Sequence, residues 1–359
     1  MKLTQVYLPE LETFTRLSHA VGDRADYTQG GGGNTSAKLG DDAMAIKASG
    51  FRLSDITPSK AYALIDYKQL SAFYHTSDPA GFEDVEKAGS EKARQLTMNV
   101  DYLEPLRPSV EAGFHSILDK YVLHTHSVYA NLAACSPAHE EILAGAFAGA
   151  SFTYTSVPYT DPGAMLTFSI RDALNAKEKA EGKRPEVIIM LNHGIIVHHD
   201  DPDRALAVHE EANSLLASWF NTSFEQYPQV ALKSAADGSF ISDTPYLAEK
   251  LRSGAYTPEM LLANPLFPDQ MVFFNGTLLK SGEDLREGAC RIDPATGLVT
   301  YTTKESQALA LEQALTAVVF IHETLKEKGL PIQYMGEAAR SFIDNWESEK
   351  YRKALQKKS

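Results

Sequence analysis

This 359-residue chain lacks the marks of a disulfide scaffold, a membrane protein or a polyanion binder. It has only two cysteines, Cys135 and Cys290, far apart in sequence. Two thiols cannot make a disulfide framework, and a reducing, cytoplasmic setting is expected. No run of about 18 apolar residues is present, so no membrane span is expected. Met1 to Glu10 lacks a basic stretch followed by an apolar one, so no signal peptide is expected there. Basic residues are outnumbered: 34 Lys and Arg face 47 Asp and Glu, a formal net charge of −13. That balance argues against a nucleic-acid backbone or an anionic membrane as partner. The cluster Lys353, Lys357 and Lys358 reads as a solvated helix tail. Common cofactor motifs are missing too. Gly30-Gly31-Gly32-Gly33 is not followed by the Gly-Lys-Ser/Thr of a phosphate loop, and Thr35 and Ser36 break any G-x-G-x-x-G pattern. His209-Glu210 does not form H-E-x-x-H, because position 213 is Asn. No internal repeat is visible. The rest is ordinary for a globular protein, with 43% hydrophobic and 23% charged residues.

Strand and helix patterns alternate along the chain. Strands are expected at Thr35 to Leu39, Ala43 to Ala48, near Ile65-Asp66, at 121–126, Phe152 to Val157, 186–191 and 194–198. Helices are expected at Leu8 to Val21, Val110 to Lys120, 137–148, Gly163 to Ala180 and Pro202 to Phe220. Residues 77–92 look like an exposed connection. The pattern predicts an α/β fold, an α/β/α sandwich with a mixed central sheet. A composition shift near residue 225 divides the chain into a first domain, 1–229, and an α+β C-terminal extension, 230–359. Tyr227 to Thr244 reads as a linker. Strands follow at Met271 to Phe274, Cys290 to Ile292 and Val299 to Tyr301, then helices over 304–328 and 335–357. Their apolar faces need a surface to cover: docking on the first domain or a neighbouring subunit is expected, and pairing with each other and the small strands in a satellite domain is the alternative.

The chemistry-bearing residues are His124, His126 and His193. Residues two apart on a strand share a face, so the two imidazoles of His124-Thr125-His126 converge. His193 ends a second apolar run, between Asn192 and Gly194. Three imidazoles with an open fourth position describe a catalytic zinc site rather than a structural one. Glu111 precedes the first strand and can serve as acid or base. A carboxylate at a helix N-terminus is the plainer reading of Glu111 taken alone. The glycine run with Asn34, and Lys47-Ala48-Ser49-Gly50, offer donors for an anion, and the glycine run taken alone reads equally as a plain flexible hinge. His198 and His199 read as surface residues, and His115, one turn after Glu111, as either a neighbour of the site or a core histidine.

Gly33-Asn34-Thr35-Ser36, Ile46 to Gly50, Pro108-Ser109-Val110-Glu111 with His115, His124-Thr125-His126-Ser127 and Asn192-His193-Gly194 occur in one order. Over roughly residues 10–220 they resemble the class II aldolase/adducin family. The resemblance implies a cyclic homotetramer with active sites between subunits, and one Zn2+ or another divalent ion on His124, His126 and His193. It implies Glu111 as the acid/base, and Asn34, Ser49, Gly50 and Ser109 at a phosphate. Tyr159, before Asp161-Pro162-Gly163, can protonate a leaving oxygen from a neighbouring subunit, with a structural tyrosine as the plainer reading. Val110 stands where many phosphate aldolases of the family have a second serine. In this the chain is similar to the longer members, such as the aldolase half of bifunctional rhamnulose-1-phosphate aldolase/dehydrogenases. The expected function is retro-aldol cleavage of a ketose or ketose 1-phosphate, through an enediolate, to a dihydroxyacetone-type fragment and an aldehyde. A sugar-phosphate 4-epimerase, a keto-acid phosphate decarboxylase and a metal-free adducin-like interaction module are the alternatives.

Overall fold

A computed structural model describes residues 3–100 and 103–345. Trp346, Tyr351 and the three lysines of the terminal cluster lie outside the described residues, as does the end of the helix expected over 335–357. Eight strands form one sheet: β1 (Asn34–Leu39), β2 (Ala43–Lys47), β3 (Tyr62–Asp66), β4 (Thr97–Met98), β5 (Tyr121–Thr125), β6 (Tyr154–Val157), β7 (Val187–Met190) and β8 (Gly194–His199). Their order is β4-β3-β2-β1-β5-β8-β7-β6. The β6–β7 pair is parallel and the other pairs are antiparallel, so the sheet is mixed.

Period-two alternation sorts the side chains onto two faces. One face buries Met44, Ile46, Val122, Ile188 and Ile196 against Leu70, Phe114, Leu166 and Phe168 of three helices, Tyr67–Thr76, Ala112–Ile117 and Ala164–Glu181. The helix Leu8–Gly22 covers the other face with Leu11, Phe14, Leu17 and Val21. Its Ser18 Oγ lies 2.6 Å from Thr35 Oγ1 of β1. His209, on the helix beginning at Pro202, reaches Thr125 Oγ1 at 2.8 Å. Helices on both faces of a mixed sheet make the expected α/β/α sandwich.

Contacts divide the described residues into two units, neither continuous in sequence. Those within 1–24, 33–126 and 147–213 carry the eight-stranded sheet. Those within 25–32, 127–146 and 214 onward form the second unit. It holds an antiparallel sheet of β9 (Leu232–Ser234), β10 (Phe240–Ser242), β11 (Cys290–Asp293) and β12 (Leu298–Tyr301), in the order β11-β12-β10-β9. Its helix Glu305–Glu327 packs on Val128–Ala134, Pro245–Leu251 and Pro268–Phe274. Every residue of Val128–Ala134 is buried, so the tail shares a core with a helix that begins two residues after His126. Glu305–Glu327 is long and apolar enough to cross a membrane, but 83% of its most apolar stretch is buried inside the protein, as a core helix is. Both cysteines are buried thiols.

Several local expectations are corrected. Met271 to Phe274 is not a strand but part of the helix Pro268–Phe274. Pro268 sits in its first turn, where the fixed φ suits a helix, and burial on all sides leaves no period to read. Tyr227 to Thr244 is not a plain linker, since it contains β9 and β10. Residues 77–92 contain most of the helix Val85–Gln95, started by Asp84, whose carboxylate accepts from Lys87 N at 2.9 Å. The helix expected over Val110 to Lys120 shrinks to Ala112–Ile117, because Leu118 is extended. His198 is buried rather than exposed, its Nδ1 2.7 Å from Asp119 Oδ2.

Candidate metal centre

β5 lies between β1 and β8. His124 faces Asn34 across one pairing and Ile196 across the other. His126 lies just past the strand end, and His193 lies in the turn from β7 to β8. Two local features close that turn on the strand. Asn192 takes left-handed backbone at φ +53°, which asparagine tolerates better than most residues. A Cβ at Gly194 would collide with the Thr125 carbonyl oxygen, so glycine is needed for the close approach.

The three imidazoles converge. Their ligand nitrogens all lie within 4.8 Å of one another, and the rings are buried. His124 Nε2 and His126 Nε2 are 3.1 Å apart. Two nitrogens each ~2.05 Å from a tetrahedral ion would be about 3.3 Å apart, so the spacing suits a shared cation. His124 Nδ1 lies 3.1 Å from the Ile195 carbonyl oxygen. A carbonyl only accepts, so Nδ1 carries the proton and Nε2 presents its lone pair to the centre.

Glu111 precedes the helix Ala112–Ile117 but does not cap it. Its carboxylate turns to the histidines instead. Oε2 is 3.4 Å from His124 Nε2, and Oε1 is 3.4 Å from His193 Nε2. Oε2 also accepts from Asn34 Nδ2 at 2.6 Å. Oε1 is buried without a hydrogen-bond partner among the described residues. An oxygen in that state is costly, and a cation on the three imidazoles would resolve it. Burial pushes the Glu111 carboxyl up. His124 first, then His193, His126 and the Asn34 bond outweigh burial and hold it below its ordinary value. Three imidazoles and a carboxylate are a donor set suited to zinc or a related divalent ion, so these residues fit such a group.

The residues expected at an anion are also neighbours. Asn34 Nδ2 donates to Ser109 Oγ at 3.1 Å, so both of its amide hydrogens are used within the protein. Ser109 N donates to Lys47 O at 3.1 Å, and Ser49 N to Arg107 O at 2.9 Å, which lays residues 47–50 along 107–109. Gly50 has φ +90°, a turn that only glycine makes without strain. Tyr159 lies in the loop after β6. Among the described residues, no hydrogen bond joins its hydroxyl to the histidines. Burial, then the nearby Asp161 carboxylate, raises its phenol, which stays protonated.

The sequence left two more members of this neighbourhood undecided or unread. His115 is fully buried, with Nε2 bonded to Asn34 Oδ1 and Nδ1 2.7 Å from Ser36 Oγ. Its signal was the four-residue spacing from Glu111. His209 supports Thr125, the residue between the two strand histidines, and no sequence feature pointed to that. Burial foremost, then Arg24 and His124, lowers the His209 pKa to about 3. An unfolded histidine takes up a proton near 6.5, while folded His209 resists. Stability is therefore lost as pH falls through the window from 6.5 to about 3. At pH 4.5 the expected cost is roughly 2–3 kcal/mol from this residue. Thermal melts at pH 7 and pH 4.5 should show a smaller acid loss in His209→Gln than in the unaltered protein. Equal losses would remove His209 from that account.

The family's sequence profile, described as the class II aldolase and adducin N-terminal domain, matches residues 12–219. No curated protein shows a significant match. Among solved structures, the N-terminal class II aldolase domain of a protein from Thermoplasma acidophilum is 20% identical, covering 58% of this chain and 93% of that one, with a TM-score of 0.49. An L-fuculose 1-phosphate aldolase is 18% identical, covering 59% and 84%, with a TM-score of 0.39. A sugar-phosphate aldolase from Thermotoga maritima is 16% identical, covering 57% and 94%, with a TM-score of 0.37. The profile spans more than half of the chain and includes Asn34, Glu111 and all three histidines, and the chain belongs to the class II aldolase and adducin family.

Proposed function

We propose that this protein is a zinc-dependent aldolase that cleaves a ketose, or a ketose 1-phosphate, into a dihydroxyacetone-type fragment and an aldehyde. The observation that carries this reading is the buried trio of His124, His126 and His193 with the Glu111 carboxylate against it. A divalent ion bound there supplies positive charge against the negative charge that develops on oxygen as the carbon–carbon bond breaks. The chain's own residues do the rest. His124, His126 and His193 hold the ion. Glu111 moves a proton between the hydroxyl or carbon of the substrate and its own carboxylate. Tyr159, a phenol kept protonated, serves the oxygen of the aldehyde fragment from a neighbouring subunit of a homotetramer. Ser49, Gly50 and Ser109 form the anion-binding side, with Gly50 letting backbone come close, while Asn34, whose two amide hydrogens go to Ser109 and Glu111, holds the carboxylate instead of an anion. Val110 leaves that side one hydroxyl short, so unphosphorylated ketoses belong in the test. A reducing, cytoplasmic setting suits two buried thiols.

The experiment is metal analysis joined to a substrate screen. Purified protein should carry about one divalent ion per chain, and aldehyde release from one ketose or ketose 1-phosphate should vanish on chelation and return with zinc. Product analysis in the same assay separates cleavage from epimerisation and from loss of carbon dioxide. Protein that binds no divalent ion and turns over no ketose would leave the interaction-module reading in its place.

A further inference from the structure

We propose that His115 is a positioning residue for Glu111, acting through the Asn34 carboxamide, with Ser36 fixing the tautomer of its ring. This rests on the reading of Glu111 as the proton-transfer group. Two spacings build the arrangement. Asn34 and Ser36 are two apart on β1 and share a face, and Glu111 and His115 are four apart across one helical turn. The strand pair therefore meets the helix pair rung by rung.

The chain of bonds has one direction, set at its Glu111 end. An ionised carboxylate only accepts, so the group at 2.6 Å from Oε2 must be the Asn34 amide nitrogen. That orientation turns Asn34 Oδ1 to His115 Nε2, and an amide oxygen only accepts. His115 must therefore carry its proton on Nε2. Its Nδ1 then holds a lone pair, which takes the Ser36 hydroxyl proton at 2.7 Å. The order is Ser36 to His115 to Asn34 to Glu111. The ring is held at both nitrogens and stacked on Phe114, with centroids 4.6 Å apart. Burial foremost, then the charges of His124 and Lys38, keeps it neutral. Without the Nε2 proton, Asn34 Oδ1 has no donor. The carboxamide is then free to flip and set oxygen against carboxylate, which turns Glu111 away from the histidines.

The test has two arms on the full chain. The first is the ring tautomer, read by nitrogen-15 NMR of labelled histidines at pH 7.5, with the signal assigned by its loss in His115→Gln. The Nε2–H form is expected, and Ser36→Ala should shift it towards a mixture. An Nδ1–H ring or an imidazolium overturns the proposal. The second arm is deuterium exchange at the hydroxymethyl carbons of dihydroxyacetone phosphate and of dihydroxyacetone, with zinc present. His115→Phe should lower kcat roughly 10–100-fold, the scale of a small misplacement, with KM and bound zinc within about twofold. His115→Gln should recover most of that loss, because its side-chain N–H reaches about the same place. Full turnover in His115→Phe, or no recovery in His115→Gln, overturns the positioning role. The two readings fail separately. An Nδ1–H tautomer with normal exchange sinks the hydrogen-bond chain alone. Wild-type protein that exchanges neither probe, with the Nε2–H tautomer present, sinks the aldolase reading and leaves the chain of bonds standing.

Discussion

Replacing any one of His124, His126 or His193 with alanine is expected to abolish stoichiometric metal binding. Removing a group that merely supports a ligand typically costs ~10–100-fold in metal affinity, and losing a ligand outright should exceed that. The three substitutions should differ in what else they cost. His124 has no exposed surface and donates to the Ile195 carbonyl, so alanine there leaves both a cavity and an unpaired acceptor. A thermal penalty of roughly 2–4 kcal/mol is expected from those two effects. His126 is 7% exposed and lies past the strand end, so its variant should melt closest to the unaltered protein. Metal content of dialysed protein and thermal melts in the presence of chelator measure the two effects apart. Normal metal content in the His193→Ala protein would break the trio and the aldolase reading with it.

Glu111→Gln is expected to keep the metal and lose turnover by roughly 10²–10⁴, the usual weight of a general acid/base group. The geometry favours a clean substitution. The amide oxygen of glutamine can still accept from Asn34 Nδ2, as Oε2 does at 2.6 Å. Its NH2 group then falls where Oε1 stands, beside His193 Nε2 at 3.4 Å. Shape and packing are retained, and what is lost is the ability to take and return a proton. The melting temperature should fall only modestly, because glutamine keeps the packing and the Asn34 bond, and the charge attraction it gives up is lost together with the opposing cost of burying an ion. Wild-type kinetics in this variant would move proton transfer away from Glu111, with Tyr159 next to be tested.

Much of this was legible in the sequence, and the reason is local geometry. Val122, His124 and His126 alternate, so a strand had to put both imidazoles on one side. Asn192-His193-Gly194 follows an apolar run, and its residue types suit a tight reversal. Most strands between Thr35 and His199 showed as alternating or short apolar runs, and the helices beginning at Leu8, Gly163 and Pro202 as periods near 3.6 residues. Seven of the sheet's eight strands followed from them, and the two-residue β4 (Thr97–Met98) did not. These features depend on residues within a few positions of one another.

What only the tertiary structure decided depends on partners distant in sequence. Met271 to Phe274 is buried on every side, so its run has no period, and helix or strand could not be told apart from the residues. Asp84 starts a helix that the polar composition of 77–92 concealed. The burial of His198 required Asp119, and the role of His209 required Thr125. The apolar face of Glu305–Glu327 announced that it would be covered, but not that Val128–Ala134 would help cover it. The direction of the Glu111 carboxylate shows the same limit. A helix N-terminus would have served it as well by charge alone. It faces the histidines because β1 and β5 pair in a register that sets Asn34 opposite His124, and a register is a property of the folded sheet.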